Sequence, residues 1–291
     1  MYPSRFAYEA PTTIAEAIDL LRRAGGEAKV LAGGQSLVPM MKLRFASPEM
    51  LVDINNIPGL AYHSADPDGT YRIGALCRHE DLEKDAELVT QQPTIAAAAP
   101  VIADPIVRTR GTVVGSLCHA DPQGDWASVM SALGGSIVAE GPSGRRSIQC
   151  VDFVNGPFQN LLQPDELAVE AFVPPPVGAR SGGYLKLERR IGDFATVGVA
   201  VSVESSGDQV ARAGIGLTGV GPSTICAEAA AELLVGQDLN PETIHRAAEL
   251  ASEISQPRSD HRGSAAYKRH VVATFVTRIL SSLELATREA A

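Results

Sequence analysis

The sequence predicts an α+β fold in two domains, and three observations carry that prediction. Short strand-like and helix-like patterns alternate up to residue 173. The stretch VPPPVGARSGG, residues 173–183, then sets three prolines before glycine and serine, which continue neither a helix nor a central strand. Beyond it, three strand patterns are followed by three helix patterns, the segregated order of an α+β domain.

In chain order, the first helix is TTIAEAIDLLRRAGG. Thr13 and Glu16 have capping-box spacing, Ile14, Ala17, Ile18 and Leu21 share a face, and Gly25 and Gly26 end it. A strand-like run at 28–32 and two more at 50–54 and 71–76 follow. Helices are expected at 79–88 and 93–103, then a loop, RTRGTVVGSLCHADPQGDW, leading into a helix at 126–134. Strands at 136–140 and 167–173 complete the first domain. After the proline boundary, strands are expected at 184–190, 195–204 and 210–219, and helices at 225–235, at 241–254 and from 264 onward. Pro241 suits a first helical turn.

Composition narrows the function. With 291 residues, 45% of them hydrophobic, the chain can bury a core without disulfides or metal. A net charge of −9 disfavours nucleic acid or an anionic membrane as partner, and no apolar run reaches the length of a membrane span. The four cysteines, Cys77, Cys118, Cys150 and Cys226, are dispersed without CxxC spacing. That argues against zinc or iron–sulfur ligation and fits a reducing, cytoplasmic setting. The N-terminus lacks the basic and apolar regions of a signal peptide.

Two glycine-rich stretches hold the functional signal. In LAGGQSLVPMMKLR, residues 31–44, a strand runs into Gly33 and Gly34 and then Gln35 and Ser36. Bare backbone and a small hydroxyl suit either a tight turn or an anion-binding nest for a phosphate. The second stretch repeats the pattern with Gly111, Thr112, Gly115 and Ser116, followed by His119, Asp121 and Asp125. Asp125 suits a ribose hydroxyl, an N-cap for a helix starting at Trp126, or both. GIGLTG, residues 214–219, matches a dinucleotide spacing, but Pro222 stands where a helix should begin, so it reads as a glycine-rich strand. The six histidines form no HExxH or HxH, no GxSxG occurs, and no acid–base pair stands out. Such a chain leaves the chemistry to a cofactor.

Together, AGGQS and RGTVVGSLCHADPQGDW resemble the two FAD-binding signatures of the medium subunits of molybdenum hydroxylases, nearest to the carbon monoxide dehydrogenase branch of that family. YLKLERRIGDFATVGVAV (184–201) and SDHRGSAAYKRHVVATFVTRIL (259–280) extend the resemblance over nearly the whole chain. It implies an FAD-binding domain of two α+β subdomains over 1–175, of the vanillyl-alcohol-oxidase-like type, and a small C-terminal domain over 180–287 built on a three-stranded sheet with helices.

The resemblance also implies where FAD lies. Ala32, Gly33, Gly34, Gln35, Ser36 and Leu37 would hold the pyrophosphate with Gly111, Thr112, Val113, Val114, Gly115 and Ser116. Lys29 and Asp125 would lie at the adenosine end, and Lys186, Asp193 and Phe194 towards the isoalloxazine. Asp104 and Arg108 are weaker candidates for shaping the cleft. Two departures stand out: Val114 replaces a family glycine, where positive φ would be costly, and Ser116 an asparagine or aspartate. Phe194 stands where the carbon monoxide enzyme is expected to have tyrosine.

By resemblance, the partners are a large molybdenum (molybdopterin) subunit and a small [2Fe–2S] subunit in a dimer of heterotrimers, with LVPMMKLRF (37–45) as a candidate contact. Electrons would pass from the clusters through FAD to an external acceptor. The competing readings are a self-contained flavin oxidoreductase and a non-catalytic scaffold subunit.

Overall fold

The computed structural model describes residues 2–283; the expected end of the second domain at 287 lies outside the described residues. The chain opens with a small parallel unit. Strands β1 (Ala7–Glu9), β2 (Ala28–Leu31) and β3 (Met50–Asp53) are linked through helices α1 (Ile14–Ala24) and α2 (Leu37–Lys42). The sheet order is β1-β3-β2, with all pairs parallel. Helix α1 starts where the Thr13 hydroxyl accepts the Glu16 N–H at 3.2 Å, while the Glu16 carboxylate accepts from Thr12 rather than Thr13. It buries Ala17, Ile18 and Leu21 and stops at Gly25, whose φ of 58° favours glycine.

An antiparallel sheet forms the second unit. It takes β4 (His63–Ala65), β5 (Tyr71–Gly74), β6 (Ser136–Gly141), β7 (Gly144–Gln149) and, beyond the short hairpin β8 (Val154–Gly156) and β9 (Gln159–Asn160), β10 (Leu167–Val173). Its order is β4-β5-β10-β6-β7. Between β5 and β6 run α3 (His79–Lys84), α4 (Leu88–Gln91), α5 (Pro93–Ala98), α6 (Pro105–Arg108), α7 (Val113–His119) and α8 (Asp125–Ala132), with α9 (Cys150–Phe153) after β7. The segment read from sequence as a loop before Trp126 therefore contains a helix, α7. Gly111 and Gly115 lower helix propensity there, but Thr112 caps α7 and Val113, Val114 and Leu117 anchor it in the core.

After Pro174–Pro176 comes a four-stranded antiparallel sheet. The three long strands are β11 (Ala179–Leu187), β12 (Val197–Ser206) and β13 (Gln209–Thr218); a two-residue β14 (Ile225–Cys226) adds an edge. β11 begins inside the glycine–serine stretch that sequence reading left irregular. Helices α10 (Glu228–Leu234), α11 (Pro241–Ile254) and α12 (Ala265–Ser282) follow. The valines at 197, 199, 201 and 203 point into a core shared with these helices.

The opposite face of this sheet receives α5 and α8 from the preceding unit. Glycine makes the approach possible. A Cβ on Gly214 would stand 2.0 Å from the Ala132 carbonyl oxygen, and one on Gly216 2.1 Å from that of Ser128. GIGLTG is thus a strand stripped of side chains so that α8 can lie on it. Thr94 of α5 uses the gap over Gly182 to donate its hydroxyl to the Val201 carbonyl at 3.0 Å.

Candidate functional site

Open parallel sheets bind ligands beyond the carboxyl ends of their strands. Here β2 runs into Ala32–Leu37, and β3 runs into a turn of 3₁₀ helix, Ile54–Asn56, capped by the Asp53 carboxylate. The amide N–H groups of Gly33, Gly34, Gln35, Ser36 and Leu37 find no acceptor among the described residues. These residues are partly exposed, so their amides stand open to an external acceptor, as in an anion-binding nest. Gly34 holds a φ of +73°, which turns the chain from strand to helix. The Ser36 side chain occupies the N-cap position of α2 without making a capping bond, leaving its hydroxyl free.

A cavity of about 370 Å³ opens over this loop, walled by residues 31–35, Val38, Pro39, Lys42 and, from the second stretch, Arg110. The two glycine stretches meet here. A Cβ on Gly33 would lie 2.2 Å from the Arg110 carbonyl oxygen, so only glycine allows the contact. No ion pair within the chain takes up Lys42 or Arg110 among the described residues, although acidic residues outnumber basic ones overall. A smaller cavity of about 190 Å³ between α8, β13 and α10 includes none of the sequence-predicted residues, and its Arg212 is already bonded to Glu204.

The second stretch is built differently. Gly111 N–H donates to Val107, and the Ser116 N–H to the Thr112 carbonyl. The Thr112 hydroxyl accepts the Gly115 N–H at 3.1 Å, so it serves the helix first. Val113 and Val114 are core residues, and Val114 lies within α7 with no positive φ, which removes the strain its sequence position suggested. Gly111 packs on His79, whose ring would be 2.8 Å from an added Cβ. His79 Nδ1 accepts the Trp126 indole N–H at 3.1 Å. Burial, helped by the charges of Arg108 and Arg78, pushes this histidine down to about 4, so it is neutral. His119 packs against Phe158 with the rings tilted and their centroids 5.2 Å apart, and sits beside Asp121 as a local packing residue.

Asp125 and Lys186 need a correction. They were expected at opposite ends of the cofactor, but Lys186 Nζ lies 3.2 Å from Asp125 Oδ2. The Asp125 side chain does not cap α8, since Gly124 is the N-cap. Instead Asp125 is buried and accepts a 2.5 Å bond from the Tyr184 hydroxyl. Burial pushes its carboxyl up, against the pull of Lys186 and Tyr184. Lys186 also donates to the Val101 carbonyl and faces Glu188. Together these groups tie β11 to the preceding unit. Arg108 likewise serves structure, gripping Glu83 with two bonds and the carbonyls of Ile102 and Ala103. Asp104 caps α6.

Lys29 is exposed on β2. Asp193 and Phe194 stand on the β11–β12 loop, where Phe194 is half exposed and Gly192 packs on Ala103 and Asp104. In α2, Met41 is buried, while Leu43 and Phe45 just beyond it are 56% and 78% exposed, so the exposed apolar surface there comes from residues other than that methionine.

Sequence reading missed Arg78, Asn55, Lys42 and Arg110. Arg78 donates to the Arg110 carbonyl and to Asn55 Oδ1, both at 2.6 Å. The Asn55 amide donates to the Ala32 carbonyl at 2.9 Å. Arg110 adjoins Gly111 and Lys42 sits in the first stretch, so charge beside the glycines could have revealed them. Nothing in the sequence links Arg78 to Asn55.

Comparison with known proteins decides the family. The model for the FAD binding domain in molybdopterin dehydrogenase matches residues 4–176, and that for the CO dehydrogenase flavoprotein C-terminal domain matches residues 183–283. The chain belongs to this family of FAD-binding medium subunits. It is 40% identical to the carbon monoxide dehydrogenase medium chain of Hydrogenophaga pseudoflava, over 97% of this chain and 98% of the relative. It is 35% identical to the glyceraldehyde dehydrogenase medium chain of Sulfolobus acidocaldarius, over 94% and 96%. A solved structure of carbon monoxide dehydrogenase from H. pseudoflava, in a form lacking the Mo-pyranopterin moiety, superposes with a TM-score of 0.91 at 42% identity, covering 97% of this chain and 98% of that one. This medium subunit is therefore a flavoprotein of the oxidoreductase class, with FAD as its cofactor.

Proposed function

We propose that the cavity at Gly33–Leu37 receives the FAD pyrophosphate and that the chain relays electrons within a molybdenum hydroxylase. One observation carries the reading: a run of main-chain donors without an acceptor among the described residues opens onto a cavity flanked by Lys42 and Arg110, which make no ion pair among those residues. A doubly anionic pyrophosphate satisfies both the donors and the charge. Gln35 closes the loop by donating to the Gly33 carbonyl, which keeps that oxygen from the phosphate. Gly33 lets the Arg110 backbone form the far wall. When bound, FAD supplies redox chemistry in which two electrons are taken up and released one or two at a time.

The proposed route has this chain taking electrons from the [2Fe–2S] clusters of a small subunit, fed by a large molybdenum subunit, and passing them to an external acceptor. Two observations support it. Two relatives, 40% and 37% identical, are named carbon monoxide dehydrogenase medium chains. Among the described residues no group of His, Cys, Asp and Glu is placed to hold a metal, and Cys77, Cys118, Cys150 and Cys226 are separate free thiols. We place the assembly, a dimer of heterotrimers, in the reducing cytosol. Among the described residues no helix is long and apolar enough to cross a membrane. Relatives named for different substrates share this chain's pattern, which fits a substrate site in another subunit.

An absorption spectrum of the purified chain, taken before and after acid release of any chromophore, tests the cofactor assignment. Released FAD is expected. A chain that stays colourless after incubation with FAD would overturn it.

A further inference from the structure

The geometry points to a polar clasp that sets the distance between the two FAD stretches: Arg78 and Asn55 are positioning residues for the cofactor, though neither lies in either signature. The inference rests on the FAD reading above. Arg78 spends its guanidinium fork on two acceptors, the Arg110 carbonyl and Asn55 Oδ1, each at 2.6 Å. Asn55 passes the connection on to the Ala32 carbonyl at 2.9 Å. Ala32 and Arg110 immediately precede Gly33 and Gly111, so the clasp ends on both sides of the cavity mouth. Asn55 is itself held by Asp53, which accepts its backbone N–H at 2.9 Å and its amide at 2.5 Å. Asp53 in turn accepts the Tyr8 hydroxyl at 2.6 Å.

Charge gives the clasp a direction. Burial and the neighbouring Arg110 both lower the Arg78 pKa, so two guanidinium charges crowd the same wall. Burial would raise the Asp53 carboxyl, but bonds from Tyr8 and Asn55 and the charge of Arg110 hold it below the ordinary carboxylate range. Asp81 and Asp53 offset the charge of Arg78, while Arg110 and Lys42 at the cavity make no ion pair among the described residues and leave positive charge for an anion there. The fork geometry matters as much as the charge, because a lysine ammonium cannot span two acceptors on different elements in one plane.

The test is an FAD titration of the full chain, followed by quenching of flavin fluorescence, with thermal unfolding of the apo forms in parallel. Arg78→Met and Asn55→Ala are each expected to weaken FAD about 10-fold or more, the scale of a lost charge-assisted hydrogen bond. Arg78→Lys should recover less than half of that loss on a logarithmic scale. The double variant should bind little worse than either single one, because both break one chain of bonds. Each single variant decides the matter alone should the other fail to fold. Parent protein that binds FAD beside variants within twofold of it would overturn the clasp while leaving the FAD site standing. So would additive losses, or full rescue by lysine. Parent protein that fails to bind FAD would overturn the site reading and the clasp with it.

Discussion

Two glycine stretches of similar composition end up doing opposite things. In the first, glycine keeps donors open: the amides from Gly33 to Leu37 have no acceptor in the described chain, and a cavity lies over them. In the second, glycine allows close packing: Gly111 lets the His79 ring approach and Gly115 lets the Thr112 hydroxyl cap α7. The lesson is that a glycine–hydroxyl pattern identifies a pair of stretches but does not divide labour between them. What divides it is whether the following residues are buried. Val113 and Val114 sit in the core and pull the second stretch into a helix, whereas Gln35 and Val38 leave the first at the surface.

If that contrast is right, changes on the committed side should cost stability, and changes in the open loop should cost binding. The largest stability effect is expected at the junction. Lys186→Met strands the buried Asp125 carboxylate and should destabilise by about 3–5 kcal/mol in urea unfolding, and adding Asp125→Leu should restore much of it. Next comes pH. The folded His79 pKa of about 4 lies below the unfolded value of 6.5, so its contribution is present above pH 6.5 and lost as pH falls towards 4. Stability measured across that window should drop by about 3 kcal/mol from this residue, and the drop should vanish in His79→Gln. Gly111→Ala brings a methyl to 2.8 Å from the His79 ring and should cost about 1–3 kcal/mol by the same unfolding assay. Smallest is Thr112→Val, at about 1 kcal/mol for a lost helix cap. A Gly111→Ala protein of unchanged stability would erase the proposed division between the stretches.

Much of the fold was legible because it rests on local patterns. The cap at Thr13, the stop at Gly25 and the first-turn Pro241 each act within a few residues, and the long strands of the second domain announce themselves by β-branched runs. Helix α7 was not legible, because Gly115 inside it and Gly111 just before it argue against a helix, and the core that overrides them is assembled from distant segments. The first stretch could be read as a candidate site from its own residues. The partnership of Asp125 with Lys186 could not, since the two come from different domains and their spacing in sequence says nothing about a 3.2 Å contact. Arg78 and Asn55 were hidden for the same reason: each is an unremarkable polar residue until the fold brings β3, α3 and the two glycine stretches to one edge.

The most direct test of the central claim is FAD titration of Gly33→Val beside the parent chain. Its added Cβ would stand 2.2 Å from the Arg110 carbonyl, forcing the two stretches apart at the cavity while leaving the helices elsewhere alone. The expected result is a loss of FAD affinity of about 100-fold or more, with unchanged helical content. A folded Gly33→Val chain that binds FAD as tightly as the parent would contradict the account.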